Sequence, residues 1–352
     1  MTPDLPAPLP RAPRTRQVDP ADASAFDAAI AEGAEIIRAG GLVAFPTETV
    51  YGLGANALDA AAVARIYRAK GRPAFNPIIV HIADASALRL VAREVPPMAE
   101  ALARAFWPGP LTLVLPRAPH LPDAVSAGLD AVGVRVPAHP VARALIERSG
   151  VPIAAPSANP YSRVSPTTAA HVIAQLGDAV DLVLDGGACR VGIESTVVDV
   201  TGPRPILLRP GGVSRDEVER VVGPVERPAV VATGDAPRPA PGMVDRHYAP
   251  QAQLVGFRAW QRAEVWGRIA AMVGSGRRVG VVAFNVAGSP ATCPIAMPVD
   301  PEGYARALYA TLHTLDREGC TVAFVEVLPT GGEWEAILDR LRRAGLDRSA
   351  DG

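Results

Sequence analysis

The chain has 352 residues, 49% of them hydrophobic and 20% charged, which allows two globular domains with sizeable cores. Its formal net charge of -1 gives no global field to recruit a polyanion or a membrane surface, so any basic site must be a local concentration. Cys189, Cys293 and Cys320 lie far apart with no Cys-x-x-Cys pair, which argues against disulfides and structural zinc, and no run reaches the ~18 apolar residues of a membrane span.

Residues 1–16, rich in Pro and Arg without a signal-peptide core, read as a disordered leader, and the chain as cytoplasmic. Phe26, Ile30, Ile36 and Ile37 predict a helix from about Asp22 to Ala39, stopped by Gly40-Gly41. A strand from Leu42 to Phe45 follows. It runs into Pro46-Thr47-Glu48-Thr49-Val50-Tyr51-Gly52-Leu53-Gly54, where alternation puts Thr47 and Thr49 on one face before a Gly-rich turn. Asp59 caps a helix carrying Val63, Ile66 and Tyr67, and Gly71 ends it.

Lys70, at the end of that helix, is the only lysine in the chain; the remaining basic residues are arginines. A compact, flexible ammonium has been kept where a planar guanidinium would not serve equally well, although a lysine before a glycine also suits a helix C-terminus. Arg72 and Asn76 follow in a loop, and Ile78 to Ile82 reads as a short buried strand interrupted by His81. His81 alone reads first as a satisfied core histidine and second as a ligand contact. Two cations, an amide and an imidazole within twelve residues together suit a polyphosphate, because each donates to phosphate oxygens and none repels them.

Further on, Pro96 to Phe106 is predicted helical, Trp107-Pro108-Gly109-Pro110 breaks it, and Leu111 to Leu115 is a strand. In Val132-Gly133-Val134-Arg135-Val136 the valines share one face, so Arg135 points to the other and needs an anionic partner, either a structural carboxylate or a ligand's. The strand Val151–Ala155 feeds Pro156-Ser157-Ala158-Asn159-Pro160. Ser165 is expected to cap the next helix, with Pro166 at its first position. Leu182 to Leu184 and Ser195 to Val200 are strands, the latter with Glu194 at its entrance. Ile206-Leu207-Leu208 delivers Arg209, and Ser214 with Glu217 forms a capping box. Prolines at 224, 228, 237, 239, 241 and 250 mark a linker over 226–250, in which Met243, His247 and Tyr248 suggest docking across a cleft. Residues 251–352 alternate helix and strand, implying a small parallel α/β domain; Gly274-Ser275-Gly276 precedes a strand and is a poor dinucleotide fingerprint.

Phe45 to Leu53, Lys70-x-Arg72 with Asn76-Pro77, and Ser157-x-Asn159 together resemble the YrdC-type threonylcarbamoyl-AMP synthases, over roughly residues 20 to 225. With His247-Tyr248-Ala249-Pro250 and the α/β tail, the chain is similar to the long, two-domain form. The resemblance implies an α/β fold: a YrdC-like twisted mixed sheet over 17–225 and a smaller Rossmann-like parallel domain over 251–352. It implies an enzyme that converts L-threonine, bicarbonate and ATP to threonylcarbamoyl-AMP and pyrophosphate for tRNA modification, with Mg2+ on the phosphates but no protein metal site. Catalytic roles are implied for Lys70, Arg72, Ser157 and Asn159. Contacts to ATP fall on Arg72, Asn76, Ala131, Ser157, Ser165, Arg209 and Tyr248, and contacts to threonine on Thr49, His81, Arg135, Ala155 and Ser195. The partners implied are tRNA and the components of the transferase, with no membrane. Ala131 and Ala155 offer only backbone there, and Ser162-Arg163 stands where the family commonly has Ser-Gly. Two other readings remain: an RNA-binding module, and a carbamoyltransferase like the hydrogenase-maturation proteins, whose zinc-finger cysteine pairs are missing here.

Overall fold

The computed structural model describes residues 13–228 and 247–346. The first part comprises β1 (Arg14–Gln17), α1 (Ala23–Arg38), β2 (Val43–Phe45), β3 (Gly52–Asn56), α2 (Ala60–Lys70), β4 (Val80–His81), α3 (Pro97–Phe106), β5 (Leu111–Pro116), α4 (Asp123–Ser126), β6 (Ala131–Arg135), α5 (Pro140–Ser149), β7 (Ile153–Ala154), α6 (Ala169–Leu176), β8 (Leu182–Asp185), β9 (Thr196–Asp199), β10 (Ile206–Arg209) and α7 (Arg215–Val222). Its strands form one mixed sheet in the order β1-β8-β2-β3-β7-β4-β6-β5-β9-β10. The second part holds β11 (Gln253–Phe257), α8 (Arg262–Gly274), β12 (Val279–Ala283), β13 (Cys293–Ala296), α9 (Pro301–Arg317), β14 (Val322–Glu326) and α10 (Glu335–Arg343). Here the sheet order is β11-β14-β12-β13, and every pair is parallel. A large mixed sheet beside a small parallel one is the α/β architecture that the family resemblance implied.

Local chemistry sets the elements that matter for the site. The Asp59 carboxylate accepts from the Ala61 and Ala62 amides and starts α2. Gly71 ends it at φ 60°, donating to Arg68 while the Arg72 amide reaches the Tyr67 carbonyl, a Schellman termination that folds the loop back under the helix. In β6 and just after it, Val132, Val134 and Val136 pack into the main core, leaving Arg135 on the other face. The parallel register of β4 and β6 pairs His81 with Arg135, so the imidazole and the guanidinium are cross-strand neighbours.

The two parts share a core. Val50, Val164, Ile193 and Tyr248 pack in one cluster with Tyr304, Leu308, Tyr309 and Leu312 of α9. Each such side chain, fully buried, contributes roughly 1.5–3 kcal/mol. At Gly192 the approach is so close that a Cβ would lie 2.5 Å from Arg306 Cα.

Several expectations are corrected. The disordered leader over 1–16 does not extend to its end, since Arg14–Gln17 pair in parallel with β8; residues 1–12 lie outside the described residues. Ser165 is not a helix cap. Thr168 caps α6, accepting from the His171 amide, and the chain from Ser165 to Thr167 is not yet helical. Thr47 and Thr49 sit on a turn rather than on a strand face, and their hydroxyls bond each other at 2.8 Å. The strands β3, β11 and β13 were not predicted; β3 is glycine-rich and β13 has only four residues. Of the 226–250 linker, 229–246, including Met243, lies outside the described residues.

Candidate active site

The turn after β2 is fixed by Thr47, whose Oγ1 donates to the Val50 carbonyl at 2.6 Å and accepts from the Thr49 and Val50 amides. This presents Glu48 and Thr49 to Arg135. The guanidinium donates from Nε to Gly109 O at 3.1 Å and from Nη1 to Thr49 Oγ1 at 2.9 Å, and pairs through Nη2 with Glu48 at 2.7 Å. All three side chains are buried. Burial alone would raise the Glu48 carboxyl, but Arg135 outweighs it and holds it below the ordinary range. Two of the five guanidinium N–H bonds are thus committed to hydrogen bonds, while Nη2 faces Glu48 as an ion pair and makes no hydrogen bond among the described residues.

Arg72, Arg135 and Arg209 line one cavity of about 50 Å³, together with Thr49, His81 and Ser157. Ala155, Glu194, His247 and Tyr248 also line it. Arg209 Nε donates to Ser195 O at 3.1 Å and Nη2 to Ser195 Oγ at 3.1 Å, and Ser195 Oγ also bonds Thr112 at 2.8 Å. Gly211 makes this turn possible, because a Cβ there would lie 2.4 Å from backbone atoms of Glu194, Ser195 and Thr196.

One layer behind the cavity, Lys70 Nζ donates to Ser157 O at 2.5 Å and to Asn159 O. Burial, with Arg72 nearby, holds its pKa well below the ordinary lysine range. Arg72 itself reaches the Asn76 carbonyl at 3.0 Å and the Pro77 carbonyl at 2.6 Å. Burial and the Arg135 charge drive His81 down to about 3, and burial does the same for His247, so both imidazoles are neutral near pH 7.

Buried polar atoms without a hydrogen-bond partner are rare. Here Asn76 Nδ2 and Oδ1, Asn159 Oδ1, His81 Nδ1, His247 Nδ1 and Tyr248 Oη lack one among the described residues, and all line or adjoin this cavity. Both nearby carboxylates are taken: Glu194, in the cavity wall, by Ser165, Tyr309 and Arg340, and Glu48, which pairs with the cavity residue Arg135, by that guanidinium. The described residues therefore do not fit a protein-held magnesium site, and no cluster of three His, Cys, Asp or Glu side chains occurs among them.

The structure brings Thr49, Arg72, His81, Arg135, Ala155, Ser157, Arg209 and Tyr248 to the cavity itself. Lys70, Asn76, Asn159, Ser165 and Ser195 stand just behind it, each buried. Ala131 is not brought there: it begins β6, packs near Val114 and Leu208, and lies about 13 Å along the strand from Arg135. Three residues that sequence reasoning did not assign to the site are Glu48, Glu194 and Arg340. A carboxylate inside a conspicuous motif was a usable signal for Glu48. Nothing local marks Arg340, whose partner Glu194 is 146 residues away.

The chain matches the family described as "Telomere recombination", which groups Sua5, YciO and YrdC, over residues 35–211. Residues 213–345 match the family described as "Threonylcarbamoyl-AMP synthase, C-terminal domain". The chain belongs to the threonylcarbamoyl-AMP synthase family. A member from Pyrococcus abyssi is 47% identical over 315 residues, covering 88% of this chain and 92% of that protein. One from Bacillus subtilis is 41% identical, covering 92% and 95%. The crystal structure of P. abyssi Sua5 complexed with L-threonine superposes with a TM-score of 0.87 at 44% identity, covering 94% of this chain and 97% of that one. The P. abyssi structure thus matches this chain across both of its parts.

Proposed function

We propose that this chain is an L-threonylcarbamoyladenylate synthase, condensing L-threonine, bicarbonate and ATP into threonylcarbamoyl-AMP and pyrophosphate for tRNA modification. The reading rests most on one observation: unpartnered buried donors and acceptors gather around a cavity lined by three arginines. In the reaction, a carbamate oxygen of N-carboxythreonine forms a bond to the α-phosphorus. The bond from that phosphorus to the β-bridging oxygen breaks, and pyrophosphate leaves. Such a displacement asks the protein for positioning and charge stabilisation rather than covalent chemistry.

Arg135 would pair the threonine carboxylate with its uncommitted N–H bonds, while Thr49, Ser195 and the backbone of Ala155 bound the amino acid. Neutral His81 accommodates the threonine ammonium without repelling it. Arg72, Arg209, Asn76, Ser157, Ser165 and Tyr248 would hold ATP. Lys70, with Asn159, fixes the Ser157–Asn159 loop and adds positive charge behind the phosphates. A magnesium ion would travel on the triphosphate itself. His247 and Tyr248 form part of the wall of this small cavity, and we take them as the segment that opens to admit ATP and closes over it. We place the protein in the cytoplasm, with tRNA and a threonylcarbamoyl transferase downstream; no helix among the described residues is long and apolar enough to cross a membrane. Burial of the site argues against an RNA-backbone module, whose basic contacts must be open to the duplex. Pyrophosphate release tests the proposal. Release that requires all three substrates supports it, whereas ATP hydrolysis indifferent to threonine would refute it.

A further inference from the structure

A buried ion pair crosses the boundary between the two parts of the molecule beside the site. Glu194, just before β9, accepts three hydrogen bonds: from Ser165 Oγ at 2.6 Å, Tyr309 Oη at 2.8 Å and Arg340 Nε at 2.8 Å. Two of these donors belong to α9 and α10. Burial alone would raise this carboxyl, but Arg340 and Arg209 hold it ionised, at about 2. Arg340 has no exposed surface. Its three nitrogens go to three acceptors, since Nη1 reaches Asp339 at 2.9 Å and Nη2 the Pro210 carbonyl at 3.0 Å. The guanidinium also lies over the Tyr248 ring, 5.2 Å from its centroid.

Every acceptor but Asp339 adjoins a residue of the proposed nucleotide site. Glu194 precedes Ser195, which holds Arg209, and it takes the Ser165 hydroxyl. Pro210 follows Arg209, and Tyr248 belongs to the segment taken to close over ATP. A buried ion pair is weak evidence for stability, because desolvating both ions offsets their attraction. The arrangement asks instead for a geometric role. We infer that Arg340 is a positioning residue for the nucleotide half of the site: one fork from the second domain fixes Glu194, the Pro210 turn and the closed position of Tyr248. The second domain is then a working part of the site, and not only a cover for it. This inference rests on the synthase reading above.

The fork is what matters, since lysine has a single donor point and cannot span three diverging acceptors. Arg340→Lys is expected to raise the ATP KM about tenfold or more, with the threonine KM shifting much less, in pyrophosphate-release assays on the full chain. A purely structural role would reduce the active fraction, lowering kcat with both KM values unchanged. Because Arg340→Lys could fold poorly, Arg340→Met with Glu194→Gln serves as a second variant that removes both charges and keeps the volume. Its thermal midpoint is expected near the parent's while its ATP KM stays raised. If the double variant regains both midpoint and parental ATP KM, or if Arg340→Lys leaves the ATP KM unchanged, Arg340 is structural only. A parent protein that releases no pyrophosphate would refute the synthase reading instead, so the two failures are distinguishable.

Discussion

Replacing Lys70 by methionine preserves most of the side-chain length and deletes the ammonium between the Ser157 and Asn159 carbonyls. Two hydrogen bonds from a charged donor contribute about 1.5–3 kcal/mol each. Against this, the ion is buried, and its lowered pKa shows that desolvation, which costs several kcal/mol, is only partly offset. These terms nearly cancel, so folding stability should change by less than about 2 kcal/mol. Catalysis has no such compensation. Loss of one preorganised stabiliser of phosphate charge typically costs about 10²–10³ in rate, or ~2.7–4 kcal/mol. Lys70→Met should therefore release pyrophosphate at least about 10²-fold more slowly at saturating threonine, bicarbonate and ATP, with a thermal midpoint close to the parent's. Lys70→Arg should recover little, because a planar fork cannot occupy the point between two converging carbonyls. Either variant turning over within about threefold of the parent would refute this use of the lone lysine.

Acid stability follows from the buried imidazoles. His81 and His247 titrate near 3 when folded, so below about 6.5 the unfolded chain takes up protons that the folded one refuses. Stability present above pH 6.5 is lost as the pH falls toward 3, by up to about 1.4 kcal/mol per pH unit for each histidine. Denaturant titrations between pH 6.5 and 5 should show this slope, and His81→Gln should remove about one histidine's share; an unchanged slope would count against the burial of His81. Tyr248→Phe should keep the midpoint, since the hydroxyl has no partner among the described residues, and raise the ATP KM several-fold; identical kinetics would remove the hydroxyl from the nucleotide site. Gly211→Ala should cost about 1–3 kcal/mol of stability and most activity, because its Cβ would collide with the Glu194–Thr196 backbone; a fully active variant of parental midpoint would contradict that close approach. Arg135→Lys should raise the threonine KM by about tenfold or more with little change for ATP, and an ATP-specific defect would reassign it.

What the sequence made legible was chiefly what local chemistry decides. Asp59 and Gly71 bound α2 as their side chains require, Ser214 with Glu217 forms the expected box, and alternation in β6 put Arg135 opposite the valines. Arg135 was seen to need a carboxylate, but whether Glu48 or a ligand supplied it depended on a turn held by Thr47, which periodicity cannot describe. The Ser165 cap failed because two local solutions compete: Ser-Pro can open a helix, but Glu194, 29 residues later, takes the Ser165 hydroxyl and Thr168 does the capping. The β3 strand, Gly-Leu-Gly-Ala-Asn, has little intrinsic β preference and is held by its neighbours β2 and β7. The role of Arg340 was least visible, since α10 reads alone as an amphipathic helix whose arginines suit water. Only the packing of the second domain turns one of them inward.

The decisive measurement follows isotope from bicarbonate into product. Incubating the protein with ATP, L-threonine and ¹³C-bicarbonate and weighing the nucleotide products by mass spectrometry should give an AMP adduct one mass unit heavier than with ordinary bicarbonate, formed only when threonine is present. An unlabelled adduct, or AMP and pyrophosphate accumulating without threonine, would contradict a single pocket that joins an amino acid to a nucleotide through a carbamate.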